Sequence, residues 1–184
     1  MKRKIDLSDQ IDLLKNAKRI YRDTATDFVI KNPEVFPFLL EMVFDHDNKR
    51  AAIKSAWVLE LVCQKNIFLI QNHLDYFIDH IYKIKDESAL RPMAKVCAFI
   101  AESNTAKEFR LTEDQKEKMI SANFDWLIGQ HKIATQVYAM DTLYLLGKEF
   151  NWVHDELKLI LEKNTSASSA GYQAHAKKIL HRLK

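Results

Sequence analysis

The sequence predicts an all-α protein, and three observations carry that expectation. Only three Gly and three Pro occur in 184 residues; turns and hairpins consume those residue types, so a β-rich fold is disfavoured on composition. Apolar residues recur at helical spacing through nearly the whole chain, as in helices that bury one face. One such stretch, Arg50–Lys65 (RAAIKSAWVLELVCQK), returns in register at Arg91 (RPMAKVCAFIAES), at Lys132 (KIATQVYAMDTLYLLGK) and faintly at Gln173 (QAHAKKILHRLK). The first positions are 41 residues apart each time.

Residues 8 to 31 read as one long helix or two short ones, with Ser8 as a cap and Ile11, Leu14, Ile20, Tyr21, Phe28 and Val29 on the apolar face. Asn32-Pro33 ends it, because a residue before Pro is pushed out of the α region. From Pro33 the chain falls into pairs. The first helix runs to about Asp45 and the polar turn Asp45–Asn48 follows; Asn48 caps a second helix that ends near Lys65. An extra apolar piece, Asn66–Gln71, precedes a helix over about His73–Lys85. The turn Asp86–Ser88 then leads to a helix over about Ala89–Ser103, with Pro92 in its first turn, where a missing N–H costs little.

Thr112 and Gln115 form a capping-box pattern that opens the third pair, and Gly129 stops its first helix. The partner helix spans about His131–Glu149. The fourth pair covers Trp152–Lys163 and Ser169–Lys184. Between its helices Asn164–Gly171 (NTSASSAG) reads as a low-complexity linker and a mobile loop.

Composition bounds the rest. Hydrophobic residues at 47% and charged residues at 29% describe an ordinary folded chain. Twenty-eight Lys and Arg against 25 Asp and Glu leave a net charge of +3, too small to imply nucleic acid or membrane by itself. Cys63 and Cys97 lie in apolar runs without metal-ligand spacing, so two buried reduced thiols are expected. The start MKRKIDLSDQ is basic, but no apolar leader segment follows it. No run approaches the ~20 apolar residues that span a bilayer. A cytoplasmic protein without cofactor is expected. The seven His give no metal site: His73 and His80, seven apart, lie about 10 Å apart along a helix. No GxxxxGK[ST], GxGxxG or GxSxG motif occurs.

Helix pairs at this period resemble HEAT and armadillo repeats, with small residues inside the second helices (Ala52 and Ala56; Ala94 and Ala98; Ala134 and Ala139). The resemblance covers residues 33–184. It implies a right-handed α-α superhelix, a HEAT-like solenoid of about four helix pairs, with residues 8–31 as an N-terminal cap and 1–184 as one domain. It also implies that the second helices line a concave surface.

The register then aligns Arg50, Arg91, Lys132 and Gln173, and one turn later Lys54, Lys95, Gln136 and Lys177. Six of these eight positions are basic, so Arg50, Lys54, Arg91, Lys95, Lys132, Gln136 and Lys177 form a candidate binding stripe. The bland reading pairs such residues locally: Asp47 would serve Arg50, and Asp86 would serve Arg91. Trp57, Tyr138 and Asp141 are the candidate aromatic and acidic groove residues. With Glu60 and Tyr144 they invite comparison with HEAT-like DNA glycosylases for alkylated purines, although Trp57 is followed one turn later by Leu61 rather than by that family's Asp. The expected function is a non-enzymatic interaction or scaffold module holding an acidic or amphipathic segment of another protein; the alternative is nucleic-acid binding, with or without base chemistry.

Overall fold

The computed structural model describes residues 2–14, 18–164 and 169–184. They form ten α-helices and two 3-10 segments, with no strand among the described residues, so the chain is all-α as the sequence implies. The linker expected over 164–171 lies in part, at 165–168, outside the described residues. No helix is long and apolar enough to cross a membrane among the described residues. Two compact units are present, Met1–Val96 and Cys97–Lys184.

The first unit opens with α1 (Lys2–Asp12) and α2 (Arg19–Lys31). Ser8 lies inside α1 rather than capping it, because the helix already runs from Lys2 and buries Leu7 and Ile11 one turn apart. The break before Pro33 is as expected: Asn32 leaves the helical region at φ −131° and ψ 67°. A 3-10 segment, Pro33–Val35, then leads into α3 (Phe36–Val43). The Asp45 carboxylate accepts from the Asp47 and Asn48 amides at 2.9 and 3.3 Å and shapes the turn. Asn48 caps α4 (Lys49–Lys65) by accepting from the Ala51 amide at 3.1 Å. The extra apolar piece packs as a 3-10 segment, Ile67–His73, started by the Asn66 side chain, and α5 (Leu74–Ile81) follows. Phe36, Leu39, Val58, Leu59, Phe77 and Ile81 form the centre of this core.

α6 (Glu87–Thr105) begins two residues earlier than the spacing suggests, so Pro92 stands inside the helix and not in its first turn. That shift has a consequence for the site below.

The second unit contains α7 (Glu113–Ile128), α8 (Ile133–Leu146), α9 (Asn151–Asn164) and α10 (Ala170–Arg182), with α8 packed against the other three. Both halves of the Thr112–Gln115 capping box are formed. Ser169 caps α10. Cys63 and Cys97 are buried and are not joined in a disulfide. Burial pushes the Cys97 thiol up to about 12.

Lys116 organises the polar side of this unit. Its ammonium, on a side chain only 7% exposed, meets Glu113 at 2.8 Å and Glu149 at 2.7 Å. Asn104 donates to the other Glu149 oxygen at 2.9 Å, while its own carbonyl oxygen accepts from the Leu111 amide at 2.9 Å. Burial works against the charge on Lys116, but the bonds to Glu113 and Glu149 outweigh it and raise its pKa. The Lys116 bond conversely lowers the Glu149 pKa from the ordinary 4.5.

A carboxylate with a lowered pKa adds stability above its unfolded value and loses it as pH falls through the folded value. Glu149→Gln is therefore expected to cost about 1 kcal/mol near neutral pH, a figure reduced for its partial exposure. The gap between variant and wild type should shrink below pH 4.5, as urea titrations across pH will show. A second expectation concerns Lys107, which ends α6 at φ 61°. The Glu108 amide reaches back to the Ser103 carbonyl there at 3.0 Å, the bond of a left-handed helix stop that glycine serves without strain. Lys107→Gly should raise stability by about 0.5 kcal/mol in the same assay.

Candidate functional site

In the first unit, Arg50, Lys54, Trp57 and Glu60 follow one another at helical spacing on α4. They meet very different fates. Arg50 is exposed and makes no hydrogen bond or ion pair among the described residues. Lys54 is only 5% exposed and donates to the Asp12 carbonyl at 2.8 Å. Burial, and then the charge of Arg50, lowers its pKa. It is a half-spent cation anchored to the end of α1.

Trp57 is explained by Pro92. In an α-helix the amide of residue 92 would donate to the Ser88 carbonyl, and Pro has no N–H to give. The Trp57 indole N–H supplies the missing donor at 3.0 Å. This fixes the ring at the α4–α6 seam and leaves it half-buried. The polar edge of Trp57 therefore already has a structural task.

Glu60 lies one turn along α4, as Arg91 lies one turn along α6 from Ser88. It is 4% exposed. Arg91 Nη2 binds one of its oxygens at 2.8 Å, and Lys95 Nζ binds the other at 3.0 Å. Arg22 of α2 adds a third cation at 3.9 Å. Arg91 thus answers to Glu60 and not to Asp86. Asp86 instead holds Lys49 at 2.8 Å and caps the start of α6 through the Ser88 amide at 2.8 Å; the Lys49 bond is the main reason its pKa is lowered. Asp47 likewise makes no ion pair with Arg50 among the described residues; its amide is taken by Asp45.

Two cavities adjoin this face. One, of about 450 Å³, is lined by Lys49, Arg50, Ile53, Lys54, Trp57 and Ser88. The other, of about 680 Å³, shares Lys49 and Ile53 and continues past Phe44, Tyr82, Lys83 and Lys85. Together they make an apolar floor with a cationic rim. Lys49, Lys83, Lys85 and Arg22 escape the repeat register: Lys49 opens α4 one position before it, Lys83 and Lys85 follow the end of α5, and Arg22 stands on α2. For Glu60 a signal existed: it is the only acid in α4.

In the second unit, Lys132 is exposed at the start of α8 and Lys177 is exposed on α10. Gln136 is committed to the end of α7, where its amide donates to the Leu127 and Gly129 carbonyls at 3.2 Å each. Tyr138 and Asp141 line a groove of about 710 Å³ between α8 and α10, with Ile133, Val137, Ala174, His175 and Lys178. His175 Nε2 lies 2.8 Å from Asp141 Oδ1. Burial and then the Asp141 charge raise the pKa of nearby Glu102. No group of three or more His, Cys, Asp or Glu able to hold a metal is present among the described residues.

Comparison with known proteins matches the model of the HEAT repeat domain family to residues 6–183. No curated protein matches the chain. Among solved structures, an engineered protein shares the fold with a TM-score of 0.59 at 15% identity, over 97% of this chain and 81% of its own. A designed armadillo repeat protein does so with a TM-score of 0.55 at 16% identity, over 97% of this chain and 82% of its own.

The tie between Trp57 and Pro92 is testable by a double-mutant cycle. Trp57→Phe strands the Ser88 carbonyl and should cost about 1–3 kcal/mol. In a Pro92→Ala background, where residue 92 again donates, the same change should cost less, and urea denaturation of the four proteins measures the difference.

Proposed function

The chain belongs to the HEAT repeat domain family, and on that premise we propose that it is a non-enzymatic binding module that takes an acidic segment of a partner protein. The observation that carries this reading is the groove of the first unit. Lys49, Arg50, Lys83 and Lys85 stand around a floor of Val43, Phe44, Ile53 and Trp57, with Asp45 and Asp86 as the acids along it. Apolar side chains of a partner fit the floor, and its acids meet the rim. Trp57, held by its N–H bond, is a rigid aromatic wall that costs little entropy to use.

Nucleic acid is less well served. A phosphate track needs exposed cations at regular intervals, and Lys54 is buried while Arg91 and Lys95 are bound to Glu60. In the second unit Gln136 is spent on a helix end.

Arg50 is the clean probe, because reversing Arg91 or Lys95 would also uncover a buried carboxylate and destabilise the unit. A fluorescein-labelled peptide of alternating Glu and Leu should bind the full chain, more weakly as salt rises. Arg50→Glu should weaken it by roughly tenfold through its rim charge, with the melting temperature unchanged. No binding at low salt would sink the reading, and tight duplex binding with a steep salt slope would replace it with nucleic-acid binding.

A further inference from the structure

The charge around Glu60 remains unbalanced. Arg22 and Arg91 bring two guanidinium charges to one carboxylate that Lys95 also binds, so the guanidinium groups alone exceed its charge in partly buried surroundings. The other acids of α2 do not offset it: Asp27 is bound by Lys65 at 2.8 Å, and Asp23 lies 3.7 Å from Arg19 and 3.8 Å from Lys65. Arg22 is the member least accounted for. Its guanidinium sits 3.9 Å from Glu60, outside hydrogen-bond reach, and its Nε and Nη1 are covered yet donate to no acceptor among the described residues. Covered donors without acceptors are costly, and like charges gathered at one place repel. An anionic acceptor from outside the chain, meeting the exposed edge of the cluster at Arg91 and Lys95, relieves the repulsion.

We infer that the Arg22–Arg91–Lys95 cluster around Glu60 is a subsite for a phosphoryl group carried by the partner segment, an inference that rests on the acidic-segment reading above. A phosphorylated side chain carries about −1.5 to −2 at neutral pH and three acceptor oxygens, more charge and one more acceptor than a carboxylate brings to the two guanidinium groups. Two guanidinium forks suit phosphate oxygens better than ammonium groups alone. The cluster is open on its outer side, with the Arg91 side chain 34% exposed and that of Lys95 20%. Glu60 is the resident acceptor that competes with the incoming group. A peptide fits better than a nucleic acid, because one phosphoryl-sized cluster stands on the same helix face as Trp57 rather than within a run of evenly spaced exposed cations.

The test uses the full chain and three synthetic peptides that differ at one central residue: phosphoserine, Glu or Ser. Phosphoserine should bind about tenfold more tightly than Glu, the worth of one further charge-assisted contact. Arg22→Gln and Arg91→Gln should erase that preference while leaving the Glu peptide nearly as tight. Glu60→Gln, a neutral isostere, should increase the preference, an outcome that a purely structural ion-pair hub would not give. Equal binding of the phosphoserine and Glu peptides, unmoved by Glu60→Gln and by Arg91→Gln, would overturn this inference and leave the acidic-segment reading standing. Failure of all three peptides would overturn both. Displacement of the phosphoserine peptide by short DNA at equal concentration would overturn the peptide assignment.

Discussion

A single carboxylate set deep in a helix face constrains the first unit. Glu60 is the only acid of α4 and is almost fully covered, and a carboxylate taken out of water needs polar partners around it. They come from two directions: Arg91 and Lys95 from α6, and Arg22 from α2. Leaving such a charge uncompensated costs about 3–5 kcal/mol, so the approach of these helices to α4 is tied to one group. The same arrangement removes Arg91 and Lys95 from the list of freely presented cations and concentrates positive charge at one point.

Beside that ion cluster stands a second constraint, made of backbone. Pro92 deprives the Ser88 carbonyl of its helical donor, and Trp57 replaces it. Trp57 and Glu60 therefore meet Ser88 and Arg91 as two successive rungs between α4 and α6. Ring and carboxylate are held by different chemistries but in the same register, which gives the groove a rigid wall. The second unit solves its own version with Lys116, shared between Glu113 and Glu149 and supported by Asn104. In each unit one nearly buried charge is used by several elements.

Much of this was legible in the sequence where the cause is local. Asn48, Thr112 and Ser169 cap helices because their side chains reach amides three residues on. Asn32-Pro33 breaks the chain through sterics between adjacent residues. The period of 41 gave the helix pairs, and the HEAT resemblance drawn from it agrees with the family match over residues 6–183. What escaped depends on distant partners. Glu60 is 31 residues before Arg91, His175 is 34 after Asp141, and Lys54 reaches the Asp12 carbonyl across 42. Periodicity states which residues share a helix face, not which neighbouring helix faces them. The register therefore placed Lys54 and Gln136 beside Arg50 as equivalents, although one is buried and the other caps α7. A helix start shifted by two residues was enough to turn Pro92 from a harmless first-turn residue into the reason for Trp57.

The central claim is that the cluster about Glu60 carries unspent positive charge that a phosphoryl group neutralises. Nuclear magnetic resonance of the full chain, following the Arg Nε–H and Trp indole signals during titration with inorganic phosphate at neutral pH, reads this directly. The account predicts that the Arg22 and Arg91 signals shift together and saturate along one binding curve, while signals of other exposed cations barely move. Small, unsaturating shifts spread evenly over all exposed arginines would contradict it.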